Sequence, residues 1–139
     1  MGTEDNKALV LRFVEEFWSR GDHAAADELM SPDVTIHEPP VGDVSGLKAF
    51  NTVLRTAFPD WHSTAEELVA EGELVAERWT GRGTHRGEFQ GIPPTGKRVA
   101  VPGVVFYRIR DGKIAEFRGQ FDQLSMLQQL GVAPAAPTR

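Results

Sequence analysis

A chain of 139 residues can bury one real core but not two. Without a cysteine it has no disulfide, no thiolate metal site and no cysteine nucleophile. A net charge of −5 without a basic run argues against nucleic acid as a partner. No apolar run approaches a membrane span, and the polar, acidic start MGTEDNKALV lacks the layout of a signal peptide, so a cytoplasmic protein is expected.

Thr3 to Arg20 predicts an amphipathic helix capped by Thr3 and stopped by Gly21, with Leu9, Val10, Phe13, Val14, Phe17 and Trp18 at helical spacing. Asp22 starts a second, short helix through AAADELM, ending near Pro32. VTIHE (34–38) predicts a short strand, halted by Pro39-Pro40. Ser45 caps a third helix that stops before Pro59. Residues 62–70 and 73–85 predict strands joined at Glu71-Gly72, and residues 98–110 and 113–121 a second pair joined at Asp111-Gly112. LSMLQQLG predicts a closing helix with Leu124, Leu127 and Leu130 on one face, and the tail 132–139 is expected to be disordered. Helices first and antiparallel strands after give an α+β plan over residues 1–131, a curved sheet wrapped around helices.

Several motifs invite a chemical reading. GIPPTGKR imitates a phosphate loop, but Pro93 and Pro94 offer no N–H, Arg98 stands where a magnesium-binding hydroxyl belongs, and a strand follows in place of a helix. His37, His62 and His85 with Glu38 or Glu88 lack the spacing of familiar metal sites, so no metal is expected. His37-Glu38 ends a strand where a cleft can form, with at most one of the two facing it unless a bulge intervenes. In ERWTGRGTH, alternation puts Arg78, Thr80, Arg82 and Thr84 on one face and Trp79, Gly81 and Gly83 on the other. Burying Trp79 exposes the arginines, whereas a closed subunit interface over Trp79 leaves them lining a pocket; the pattern is compatible with both. In FRGQFD, Phe117, Gly119 and Phe121 share a face, and a glycine at its centre marks a close approach by backbone or ligand. Asp122 is placed to cap the last helix.

FPDWH, AEGELVAERWTGRGTHRGEFQGIPPTGKRV, YRIRDGKIAEF and MLQQLG together resemble the SnoaL-like polyketide cyclase family of the nuclear-transport-factor-2-like superfamily, from about Lys7 to Gly131. The resemblance implies a cone-shaped α+β barrel with a deep apolar pocket, working without metal or cofactor by acid–base chemistry. It also implies a homodimer through the outer sheet face, with Trp79 in the interface. The aspartate of the cyclases falls on Gly119 and their assisting histidine near Val105. The acid residues of the related limonene epoxide hydrolases fall on Gly119 and Thr80, with their arginine kept as Arg78. Both acid–base sets are therefore incomplete, and the superfamily hosts many reactions.

Two enzymatic readings follow from the resemblance. The one favoured by Gly119 is cofactor-independent hydroxylation of a polycyclic aromatic substrate, reduced by a separate reductase. There Arg78 and Arg82 steady charge, and Gly119 makes room between Phe117 and Phe121. The other is aldol ring closure, or a dehydratase or isomerase reaction, with Glu38 as base, Arg78 or Arg82 as donor, and His37 and His85 as proton shuttles. Trp61, Phe50, Val101, Val105, Phe117, Phe121 and Thr80 are the expected pocket walls. A non-catalytic binding domain is the third reading.

Overall fold

Helices pack on one face of a five-stranded sheet in the computed structural model, which describes residues 2–37 and 42–132. Helix α1 spans Thr3–Phe13. Thr3 is its first residue and not its cap: the chain enters through Gly2, whose N–H donates to Asp5 Oδ2 at 3.1 Å. The helix continues as a π-helical stretch, Val14–Ser19, marked by the Arg20 N–H donating to the Glu15 carbonyl five residues back. The wider turn lets two neighbouring aromatics face inward. Phe17 stacks on Phe13 at 5.1 Å, and half-buried Trp18 meets Phe50 edge-on at 6.3 Å.

Asp22 caps α2, His23–Leu29, which gives way directly to β1, Met30–Ile36. This strand starts earlier than VTIHE predicts and runs through Pro32. It lies at the edge of the sheet order β1-β5-β4-β3-β2, where a missing N–H is tolerated. It pairs with β5 in parallel, so the sheet is mixed and not purely antiparallel. Helix α3, Val44–Ala57, is capped by Asp43, which accepts from the Gly46 N–H at 2.8 Å, and Ser45 lies inside the first turn.

Strands β2, His62–Glu71, and β3, Leu74–Thr84, form one hairpin; β4, Arg98–Arg110, and β5, Lys113–Phe121, form the other. The second turns on Asp111 and Gly112, both at positive φ (51° and 72°), as a two-residue hairpin with the sheet's own twist requires. Along β4, Val99, Val101, Val105, Tyr107 and Ile109 are buried and their neighbours face outward. A bulge in β5 sets Arg108 opposite Glu116 and Ile109 opposite Ile114, so that Ile114 and Phe117 both point inward. Helix α4, Gln123–Leu130, is capped by Asp122, which accepts from the Ser125 N–H at 2.9 Å. It buries Met126 and Leu130, four residues apart, and leaves Leu124 59% exposed, so the predicted leucine face is not the packed one.

The core falls into two clusters. One joins α1 and α2 to Tyr107 and Ile114; the other gathers Phe58, Trp61, Phe89, Met126 and Leu130. Trp18 and Trp79 pack against both. Arg55 ties the junction: its Nη1 donates to the carbonyls of Trp18, Ser19 and Trp61 at 3.1, 3.1 and 3.2 Å, satisfying groups that a helix end leaves open. The cavity described next lies against both clusters.

Candidate active site

A cavity of about 310 Å³ opens between the inner sheet face and the helices. Phe50, Trp61, Val105, Phe117, Gly119 and Phe121 line it. Val101 lies instead in the second core cluster, outside the cavity wall. Thr80 sits on the outer sheet face between Thr64 and Pro102.

Among the described residues, one ionisable carboxylate stands in this apolar wall. Glu77, 3% exposed, lines the cavity from the middle of β3, on the inward face it shares with Val75, Trp79, Gly81 and Gly83. Tyr107 on β4 is fully buried and donates its hydroxyl to Glu77 Oε1 at 2.7 Å. The pair is diagonal across the ladder, Glu77 standing opposite Val105 and Tyr107 opposite Val75. Oε2 has no protein partner among the described residues and is left to the cavity. Burial disfavours the ionised form and pushes Glu77 up to about 7, against the smaller, opposing effect of the Tyr107 hydrogen bond. Burial and the adjacent carboxylate raise Tyr107 far above the usual phenol range, so its hydroxyl stays a donor. At neutral pH the cavity therefore holds a carboxyl group split between its two protonation states, the condition that suits a group both taking and returning a proton.

The position of Glu77 relates to the gap in the sequence motif. Glu77 pairs with Val105 and Val105 with Gly119, so the three form one row across β3, β4 and β5. The carboxylate lies in the row where the cyclase aspartate and histidine positions fall, two strands and about 10 Å from Gly119. Gly119 is itself hemmed in: a Cβ there would meet the Phe117 ring at 3.1 Å and Val105 Cγ2 at 3.2 Å. The Phe117 ring borders this glycine, which still lines the cavity together with Phe117 and Phe121.

The other expected catalytic groups lie elsewhere. Arg78 is on the outer face, 54% exposed and paired with Glu67 at 2.8 Å, and Arg82 is exposed on the same face. Alternation along β3 sends them out because Glu77, Trp79 and Gly81 go in. His37 is bound outside the cavity to Glu116 at 2.9 Å. His85 is completely buried behind the cavity wall, stacked on Phe58, with Nδ1 accepting from the Thr95 N–H at 3.2 Å. It ties down the loop at Thr95 and does not line the cavity. Glu38 lies outside the described residues. Trp79 is not on the outer face: its half-buried indole covers Gly103, where a Cβ would come within 2.2 Å of it, and it lines the cavity. Among the described residues no three His, Asp or Glu side chains gather as a metal site, and no helix is long and apolar enough to cross a membrane.

Sequence reasoning missed Glu77, Tyr107 and Ser63. The signal for Glu77 was present: the alternation that groups Trp79, Gly81 and Gly83 continues one step back to a lone charge on an apolar face, a placement that requires a partner or a task.

With the geometry in place, comparison with known proteins fixes the family. The chain belongs to the SnoaL-like polyketide cyclase family, whose pattern it matches over residues 8–130. It is 30% identical over 128 residues to the aklanonic acid methyl ester cyclase DnrD of Streptomyces peucetius, covering 88% of each chain. Among solved structures it resembles AclR, a proposed hydroxylase from Streptomyces galilaeus, with a TM-score of 0.89 and 31% identity over 98% of this chain and 91% of that one. It also resembles IdmH, a proposed polyketide cyclase from Streptomyces antibioticus, with a TM-score of 0.82 and 34% identity over 91% of this chain and 99% of that one.

Proposed function

We propose that the protein catalyses an intramolecular aldol ring closure on an oxygenated polycyclic polyketide, with Glu77 moving the proton and Tyr107 holding Glu77 in place. The observation that carries this reading is the buried Glu77 at the cavity wall, bonded to Tyr107 at 2.7 Å and poised near pH 7. Its carboxylate takes the proton from a carbon made acidic by flanking carbonyls. That carbon attacks a ketone within the same molecule, and the protonated Glu77 returns the proton to the new alkoxide. One C–C bond forms as the π bond of the attacked ketone opens, one C–H bond is exchanged for an O–H bond, and the reaction is redox-neutral. Apolar walls raise the base's proton affinity and hold the chain folded for attack. The likeness to DnrD supports an ester-bearing polyketide as the substrate class.

A second reading, oxygen-dependent hydroxylation of a reduced ring supplied by a separate reductase, is favoured by the likeness to AclR and by the missing acid at Gly119. It loses the support of inward arginines. Incubation with aklanonic acid methyl ester in air and under nitrogen separates the two. A product of unchanged mass, formed at the same rate without oxygen, is expected. A product heavier by one oxygen atom, formed only in air, would replace ring closure with hydroxylation.

A homodimer through the outer sheet face accompanies this reading. Val69, Val104 and Phe106 are exposed there at 66, 46 and 52%, beside the Arg78–Glu67 and Arg108–Glu116 pairs. A patch carrying both charges is self-complementary to a second copy related by a two-fold axis. Sedimentation should give a dimer for the wild type and a monomer for Phe106→Glu; a monomeric wild type would contradict the assembly.

A further inference from the structure

The structure assigns a second polar pole to the cavity: we infer that Ser63 donates a hydrogen bond to a carbonyl oxygen at the end of the substrate remote from Glu77. The inference extends the proposed function and rests on its reading of the substrate as an oxygenated polycycle.

Ser63 is 7% exposed and lines the cavity from β2. Its backbone is clamped from both sides, the N–H donating to Ser19 Oγ at 3.0 Å and the carbonyl accepting from the same hydroxyl at 3.1 Å. The Trp61 indole N–H donates to Ser63 Oγ at 2.9 Å. Gly81 makes that bond possible. It stands opposite Ser63 in the ladder, and a Cβ there would lie 2.1 Å from Trp61 Cζ2, so only glycine leaves room for the indole. With one lone pair of Oγ occupied by the indole, the serine is oriented to use its own proton as a donor, and that proton has no acceptor among the described residues. A donor held this way in a wall of Trp61, Trp79 and Phe117 is the kind of single, fixed polar group that sets ligand orientation in an apolar pocket.

Glu77 and Gly81 are four residues apart on β3, about 13 Å along the strand, so Ser63 and Glu77 stand well apart on the cavity wall. A ligand spanning both is flat, extended and polycyclic, with its reacting carbon at Glu77 and a carbonyl acceptor at Ser63. Ser63 thereby selects between substrates that differ at the remote ring.

The test uses two probes of one skeleton, 1,8-dihydroxyanthraquinone, which has a free carbonyl acceptor, and 1,8-dihydroxyanthracene, which has none. Binding is followed by tryptophan quenching and checked by equilibrium dialysis. The wild type should prefer the quinone. Ser63→Ala should weaken the quinone about 3- to 10-fold and leave the anthracene within about twofold. Ser63→Cys, which fills the same space with a weak donor, should show the same loss of preference and guards against misfolding of the alanine variant. Equal weakening of both probes, no change in either, or no binding of either by the wild type would overturn the assignment. Failure here with Glu77-dependent ring closure intact would leave the proposed function standing. Glu77→Gln should lose turnover and keep the quinone preference.

Discussion

The two faces of β3 carry opposite kinds of charge, and the contrast shows where function resides. Outward, Arg78 lies in water beside Glu67, where solvent screens the pair and long side chains spend entropy to meet. Inward, Glu77 is buried and, among the described residues, accepts one hydrogen bond, from Tyr107. The same strand thus displays an ordinary ion pair and a strongly perturbed acid one residue apart. Conspicuous arginines in a motif say less about chemistry than one carboxylate on the dry face.

The largest effect expected from breaking this contrast is on Glu77. Glu77→Gln keeps the shape and an acceptor for Tyr107 but cannot move a proton, and turnover should fall by about 10²- to 10⁴-fold. The substitution should also change the pH dependence of stability. The folded-state pKa of Glu77, about 7, lies above its ordinary value of 4.5, so the native state binds more protons than the unfolded chain between these values. The contribution of Glu77 to stability should be fully present below about pH 4.5 and be lost as the pH rises through 7, on the order of 3 kcal/mol, while Asp60 and Glu116, held below the ordinary carboxylate range, act in the opposite sense in acid. Denaturant melts of Glu77→Gln at pH 5 and pH 8 should lack the loss due to Glu77.

Next in size is Gly81→Ala. Its Cβ would meet the rigid Trp61 indole, which must shift and release Ser63. A loss of about 1–3 kcal/mol is expected from overpacking, measured by urea denaturation, with weaker quinone binding alongside. Tyr107→Phe should be milder. It removes the hydrogen bond that favours the ionised carboxylate, so the midpoint of the kcat/KM profile should move to higher pH. Smallest of all, Arg78→Ala should leave turnover unchanged. A large loss of turnover there would restore the arginine reading and undo the inner–outer contrast.

Much of the fold was legible because local chemistry dictates it. Asp111-Gly112, the alternation of β4 and the Asp122 cap all appear where short-range rules put them. What sequence left unread depends on distant partners. The π-helical turn at Val14–Ser19 preserves apolar spacing well enough to pass for α-helix. Pairing of β1 with β5 joins segments some 80 residues apart, and no turn signal announces it. The caps at Gly2 and Asp43 stand one and two residues ahead of the predicted Thr3 and Ser45, a displacement ordinary for helix ends. In the site, alternation grouped Phe117 and Phe121 on one face, while Trp61 stands ahead of β2, where no such pattern applies. Ser63 was not legible, because a serine attracts notice only once its burial is known, whereas Glu77 was overlooked although alternation already set it on the apolar face of β3.

The most direct test of the central claim is a carbon-13 NMR titration of the Glu77 side-chain carboxyl, assigned by its disappearance in Glu77→Gln. A midpoint near pH 7, moving upward in Tyr107→Phe, is the predicted result. A midpoint in the ordinary range near 4.5 would mean that the inward face holds no poised acid–base group, and the proposed ring-closing mechanism would fall with it.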